Sequence, residues 1–140
     1  MKTAFSAAAA ALASVMIVCA PATAFADSCW NHNGSLMRLK AAGNERAFYY
    51  ERPKQGLRDA GVARGTLLFN GANNNGYYSG TTRVFSKYCP RTPLEYYVEG
   101  PVDLNQTRVT LRGTREVMER CQPTGRSTTD TLVFTYSHQC

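Results

Sequence analysis

The chain has 140 residues and a formal charge of +6, unevenly distributed: residues 1–26 hold one Lys and no acid, whereas residues 27–140 carry 15 Lys+Arg and 10 Asp+Glu, a net +5. That length excludes two ordinary domains. The polarity of residues 27–140 excludes a membrane-spanning helix there.

The chain begins like an export signal. Lys2 is followed by an Ala-rich apolar run from Ala7 to Ala20, then by Pro21 and by Ala24-Phe25-Ala26 ahead of Asp27. Pro21 ends the apolar segment, and the small residues Ala24 and Ala26 suit a signal-peptidase pocket. Residues 1–26 are therefore expected to be a removable signal peptide, and residues 27–140 one domain in the bacterial periplasm or the medium. A lipidated Cys19 fits poorly, because Val18 stands where a small residue is wanted.

Cys29, Cys89, Cys121 and Cys140 remain after cleavage. An even number of cysteines in a small exported domain points to two disulfides. Their smallest separation is 19 residues and the chain has two His, which excludes the close ligand pairs of a zinc site. Three pairings are possible. Cys29–Cys140 with Cys89–Cys121 is favoured, because it ties down both ends of the domain.

Trp30 to Ser35 reads as a turn entering the first strand. Strand alternation then runs through Met37–Ala41, Phe48–Glu51, Leu94–Glu99, Val109–Arg112 and Leu132–Tyr136, with further strands at Thr66–Asn70, Tyr77–Phe85 and Glu116–Cys121. Turn residues separate them at Ala42-Gly43-Asn44, Asn70 to Gly76, Cys89 to Pro93, Gly100-Pro101 and Pro123-Thr124-Gly125. A single helical turn fits around Gly56–Ala60. About eight short strands predict an all-β fold, a small antiparallel barrel or else a two-layer sandwich.

The segments Trp30-Asn31-His32-Asn33-Gly34-Ser35, Gly65 to Gly71 and Tyr78-Ser79-Gly80 give the chain a resemblance to a group of small exported alphaproteobacterial proteins. The resemblance implies export and a compact β fold, and it assigns no catalytic residue.

Candidate binding residues fall into three sets. Trp30, His32 and Asn33 could stack on and hydrogen-bond a ligand, or Trp30 could plug one barrel end. Adjacent tyrosines at 49/50, 77/78 and 96/97 must point to opposite faces, so that one of each pair enters the core. Tyr49, Tyr78 and Tyr97 are the tyrosines assigned to a binding surface. Arg38, Arg108 and Arg112 alternate with core positions and are expected on a solvated face, able to pair with phosphate or carboxylate. Arg58, Arg64, Arg91, Arg115, Arg120 and Arg126 look scattered over loops.

Catalytic combinations can be drawn from His32 or His138, Ser35 or Ser79, and Asp103 or Asp130, or from the Glu95/Glu99 pair. No nucleophile elbow, phosphate loop or dinucleotide fingerprint accompanies them. The expectation is a non-catalytic binding protein without metal or cofactor, its partner an anionic envelope component, a small ligand or another exported protein. Nucleic acid is not expected, since no recognition motif is present. Inhibition of a secreted or host hydrolase such as lysozyme is an alternative, although basic lysozymes would be repelled by a +5 domain. A structural role in envelope maintenance is another.

Overall fold

A computed structural model of the chain describes residue 4, residues 14–19 and residues 27–140. Most of the expected signal segment and its cleavage site lie outside these residues. Eight strands and one short helix follow in order: β1 (Ser28–His32), β2 (Ser35–Ala42), β3 (Glu45–Arg52), α1 (Gln55–Asp59), β4 (Leu67–Asn74), β5 (Tyr77–Val84), β6 (Leu94–Pro101), β7 (Arg108–Glu119) and β8 (Gln122–Gln139). Each strand pairs antiparallel with the next, and β1 pairs with β8, so the sheet closes into a barrel. Closure removes the free edges that a sandwich would keep.

The alternation read from the sequence sets which side chains enter the lumen. Met37, Leu39, Phe48, Tyr50, Val98, Val109, Leu111, Leu132 and Phe134 are buried, with polar neighbours facing out. Two irregularities escape that pattern. A register shift between Cys29 and Trp30 in the β1–β8 pairing leaves both residues buried in succession. Ser28–His32 therefore lacks the period of a strand, and β1 occupies part of what the sequence suggested as a turn. A shift in the β3–β4 pairing likewise buries both Leu68 and Phe69.

Three turns differ from expectation. Asn70 to Gly76 is mostly strand, and only Asn75 and Gly76 turn, with φ 52° and 83°. Strand structure continues there because Gly71 faces Gly80 across the β4–β5 pair, where a Cβ on either would run into the opposite backbone. The glycines that suggested a loop allow a close strand approach instead. Gly100-Pro101 ends β6, and the chain turns after it, with Val102 N donating to Gly76 O. Pro123-Thr124-Gly125 lies inside β8. The chain reverses earlier, at Arg120 and Cys121, whose φ values of 47° and 69° meet the requirement of a two-residue hairpin of type I′.

Aromatic rings fill the lumen. Phe48 stacks on Phe134 at 4.0 Å, and His32 stacks on the same Phe134 at 4.4 Å. Trp30 meets Phe48 and Tyr136 edge-on at 5.9 and 5.6 Å. The disulfides are Cys29–Cys140, which joins the start of β1 to the chain end beside β8, and Cys89–Cys121, which joins the β5–β6 connection to the β7–β8 hairpin.

Candidate functional site

In an up-and-down barrel the odd-numbered connections gather at one end. Here that mouth carries the β1–β2 turn, the β3–β4 connection with α1, the β5–β6 connection and the β7–β8 hairpin. α1 caps part of it: Ala60 and Val62 are buried, Leu57 packs against the core, and Lys54 N donates to Ser35 Oγ at 3.0 Å. Beside this cap lies an open cleft of about 1390 Å³ between residues 84–94 and 115–122. Val84, Leu94, Met118, Pro90, Pro93 and Tyr88 supply its apolar wall, and Arg91, Arg115, Arg120 and Glu119 its charge.

The three arginines differ in state. Arg115 Nε donates to Asp130 Oδ2, which also accepts from the Tyr96 hydroxyl at 2.7 Å. Burial and the Asp130 bond push the Tyr96 phenol well above its usual range, so it stays protonated and donating. Arg91 and Arg120 are exposed and form no ion pair among the described residues. Arg115 is therefore a committed structural cation, while Arg91 and Arg120 are available to a ligand.

None of the nine candidate binding residues lines this cleft. Trp30, His32 and Tyr78 are core residues, so these three present no surface. Trp30 Nε1 donates to Ser28 Oγ at 2.8 Å, satisfying the indole inside the barrel. His32 Nδ1 lies 2.9 Å from Val133 O, and burial holds its imidazole below the ordinary value. Asn33 sits exposed in the β1–β2 turn, with φ 46°. The adjacent tyrosines divide as the period requires: Tyr50 and Tyr78 are buried and Tyr96 packs on the core, while Tyr77 and Tyr97 are exposed and Tyr49 is half-buried.

The outer arginines are dispersed. Arg38, on β2, bonds Asp27 at 3.0 Å and Glu51 at 2.9 Å, and Arg64 reaches Glu51 at 2.8 Å. The Arg38 bond holds the Glu51 carboxyl below its usual range. Arg108 and Arg112 lie exposed on β7, with β1 and β8 between them and Arg38, and Arg112 stands opposite Glu99. The groups considered for catalysis are bonded elsewhere: Asp103 accepts from Thr107 and Arg108, His138 pairs with Ser137, and Glu95 with Arg83. Arg91, Arg115 and Arg120, dispersed in sequence, are brought to one cleft by the fold. The Cys89–Cys121 pairing was the signal that could have found them, because it places residues 91 and 120 beside the same bridge.

No protein-family model matches the chain, and no curated protein matches it by sequence. Among solved structures, the chain is similar to that of a rhizavidin–biotin complex, with a TM-score of 0.53. The match covers 82% of this chain and 94% of that one at 13% identity. At that identity the likeness establishes the fold alone, a closed antiparallel β-barrel.

Proposed function

We propose that this is an exported, non-catalytic binding protein whose barrel mouth holds an amphipathic anion of the bacterial envelope. The observation that carries the reading is the mouth cleft, in which an apolar wall adjoins two guanidiniums without acidic partners among the described residues. Its volume of about 1390 Å³ exceeds the roughly 300–1,000 Å³ of ordinary small-molecule pockets. An extended ligand, such as an acyl chain or a multi-ring body with an acidic head, suits it better than a small polar metabolite.

Two further points support the reading. The similar rhizavidin barrel is complexed with biotin, so a barrel of this kind can serve small-ligand binding. Two disulfides fit an oxidising compartment such as the periplasm or the exterior. The ligand differs from a lumen-bound one in its place, because aromatic rings occupy the lumen here.

Dodecyl phosphate and dodecylphosphocholine, titrated below their micellar concentrations, share a tail and differ in head-group charge. The protein should bind dodecyl phosphate at least about tenfold more tightly, the equivalent of about 1.4 kcal/mol for two charge-assisted contacts partly screened by water. Arg91→Gln/Arg120→Gln should erase the preference. Equal affinity for both amphiphiles, or none for either, would remove the reading.

A further inference from the structure

The two disulfides sit in different parts of the fold, one beside the β1–β8 seam and one in the mouth cleft. We propose that Cys89–Cys121 is a ligand-binding element that holds Arg91 and Arg120 as a two-armed clamp for a phosphate monoester head group. This inference rests on the mouth-cleft reading above and names the class of ligand that the cleft takes.

Cys89 and Cys121 both line the cleft, and their Cα atoms are 5.7 Å apart. Cys89 lies in the β5–β6 connection, which has no strand. Its backbone bonds there, Cys89 N to Ser86 O and Thr92 N to Cys89 O, stay within the connection. The connection is anchored at its start by Phe85, which packs on the core and meets Tyr50 edge-on at 6.0 Å, whereas around Cys89 Tyr88 O lies 2.9 Å from Cys121 Sγ and Pro90 lies beside Gly61. The disulfide is the covalent tie between the segment around Cys89 and the hairpin.

Each cysteine sits next to one free cation. Arg91 follows Cys89 by two residues, and Arg120 immediately precedes Cys121 at the hairpin tip. The tip backbone is held in the left-handed region at both residues, with φ 47° and 69°. The bridge therefore joins two short arms, each ending in a guanidinium that no acid engages among the described residues. Two such forks match the several oxygens and double charge of a phosphate monoester better than the single charge of a phosphodiester. The adjoining Met118 and Leu94 would take its tail.

Cys29–Cys140 is placed differently. It joins β1 and the chain end where β1 and β8 are already in register, Ser28 opposite Gln139 and Cys29 opposite His138. It closes a separation of 111 residues against 32 for the other bridge, so it restricts the unfolded chain more. Stability should depend chiefly on Cys29–Cys140 and affinity on Cys89–Cys121.

The test measures dodecyl phosphate affinity and melting temperature on the oxidised protein and two double variants. Cys89→Ser/Cys121→Ser should melt cooperatively, keep its near-UV circular dichroism and bind at least about tenfold more weakly. Cys29→Ser/Cys140→Ser should show the larger fall in melting temperature and bind normally below it. Unchanged affinity in Cys89→Ser/Cys121→Ser would overturn the inference, whereas absence of binding by the parent protein would overturn the cleft reading itself. If Cys89→Ser/Cys121→Ser fails to fold, the cycle of Arg91→Gln and Arg120→Gln on the oxidised protein decides. Strongly non-additive losses support one clamp, and additive losses overturn it.

Discussion

Replacing Phe48 with Ala tests whether the barrel lumen is a packed core or a ligand chamber. Phe48 is fully buried, stacks on Phe134 at 4.0 Å, and receives the edge of Trp30 at 5.9 Å and the tilted ring of Phe69 at 6.4 Å. Removing a buried Phe side chain costs about 3–5 kcal/mol, part transfer free energy and part unfilled cavity. The lost aromatic pairs, each about 0.5–1.5 kcal/mol beyond area, are part of that cost, and rings packed around a closed barrel cannot collapse far to recover it. With 1 kcal/mol moving the melting point of a small domain by about 4–8 °C, the variant should melt at least about 12 °C lower. Phe48→Leu, which keeps most of the volume, should lose less than half as much. Urea and thermal unfolding followed by circular dichroism would measure both. Below its lowered melting point, Phe48→Ala should bind dodecyl phosphate like the parent, because the cleft lies outside the aromatic stack. A loss under about 1 kcal/mol with a cooperative transition would refute the packed-lumen account, since a tight site cannot yield so little.

Two other perturbations address the fold. Burial, with Lys54 acting in the same direction and the Val133 bond opposing them, lowers the His32 pKa below that of its unfolded counterpart, which takes up a proton near pH 6.5. The unfolded state thus binds more protons, and stability should fall as the pH drops from 7 toward 5, by at most about 1.4 kcal/mol per pH unit. Glu51, held down by Arg38, contributes its own loss only at lower pH, so the window is clear. His32→Gln should flatten the slope, and identical slopes in urea unfolding would contradict the assignment. Gly80→Ala would press a Cβ into the Asn70 carbonyl and Gly71, and should cost about 1–3 kcal/mol. Gly56→Ala, in α1 with open space around it, should gain a few tenths to about 1 kcal/mol; a Gly80→Ala variant as stable as Gly56→Ala would show that β4 and β5 are not so close.

Most of the architecture was legible because a half-buried strand writes its period into the sequence. Val109 and Leu111 between Arg108 and Arg112, or Phe134 between Val133 and Thr135, can face inward in one register only. That one tyrosine of each adjacent pair turns inward follows from the same geometry, but at 77/78 it is Tyr78, expected on the surface, that is buried and Tyr77 that is exposed. What escaped were departures from the period. The shift at Cys29/Trp30 hid β1, and the Gly71–Gly80 approach made strand residues look like a loop. At the β7–β8 tip, Arg120 and Cys121 hold positive φ without any Asn or Gly to announce it, and Pro123 and Gly125 drew attention to the wrong position. The site was harder still. Aromatic and basic residues on strands suggested a platform, yet the strand arginines are dispersed and Trp30 and His32 fill the lumen. The cleft is made by two segments more than twenty residues apart, and only the disulfide pattern linked them in advance.

Whether the ligand sits in the mouth or in the lumen is read by nitrogen-15 NMR of the oxidised protein titrated with dodecyl phosphate. Arginine Nε–H and backbone signals report the mouth, and the Trp30 indole N–H reports the lumen. The largest shifts should fall on the Arg91 and Arg120 side chains and on the amides of Tyr88 and Met118, with the Trp30 indole unmoved. Saturable shifts of the Trp30 indole and the Phe134 amide, with Arg91 and Arg120 silent, would place the ligand inside the barrel and contradict the account.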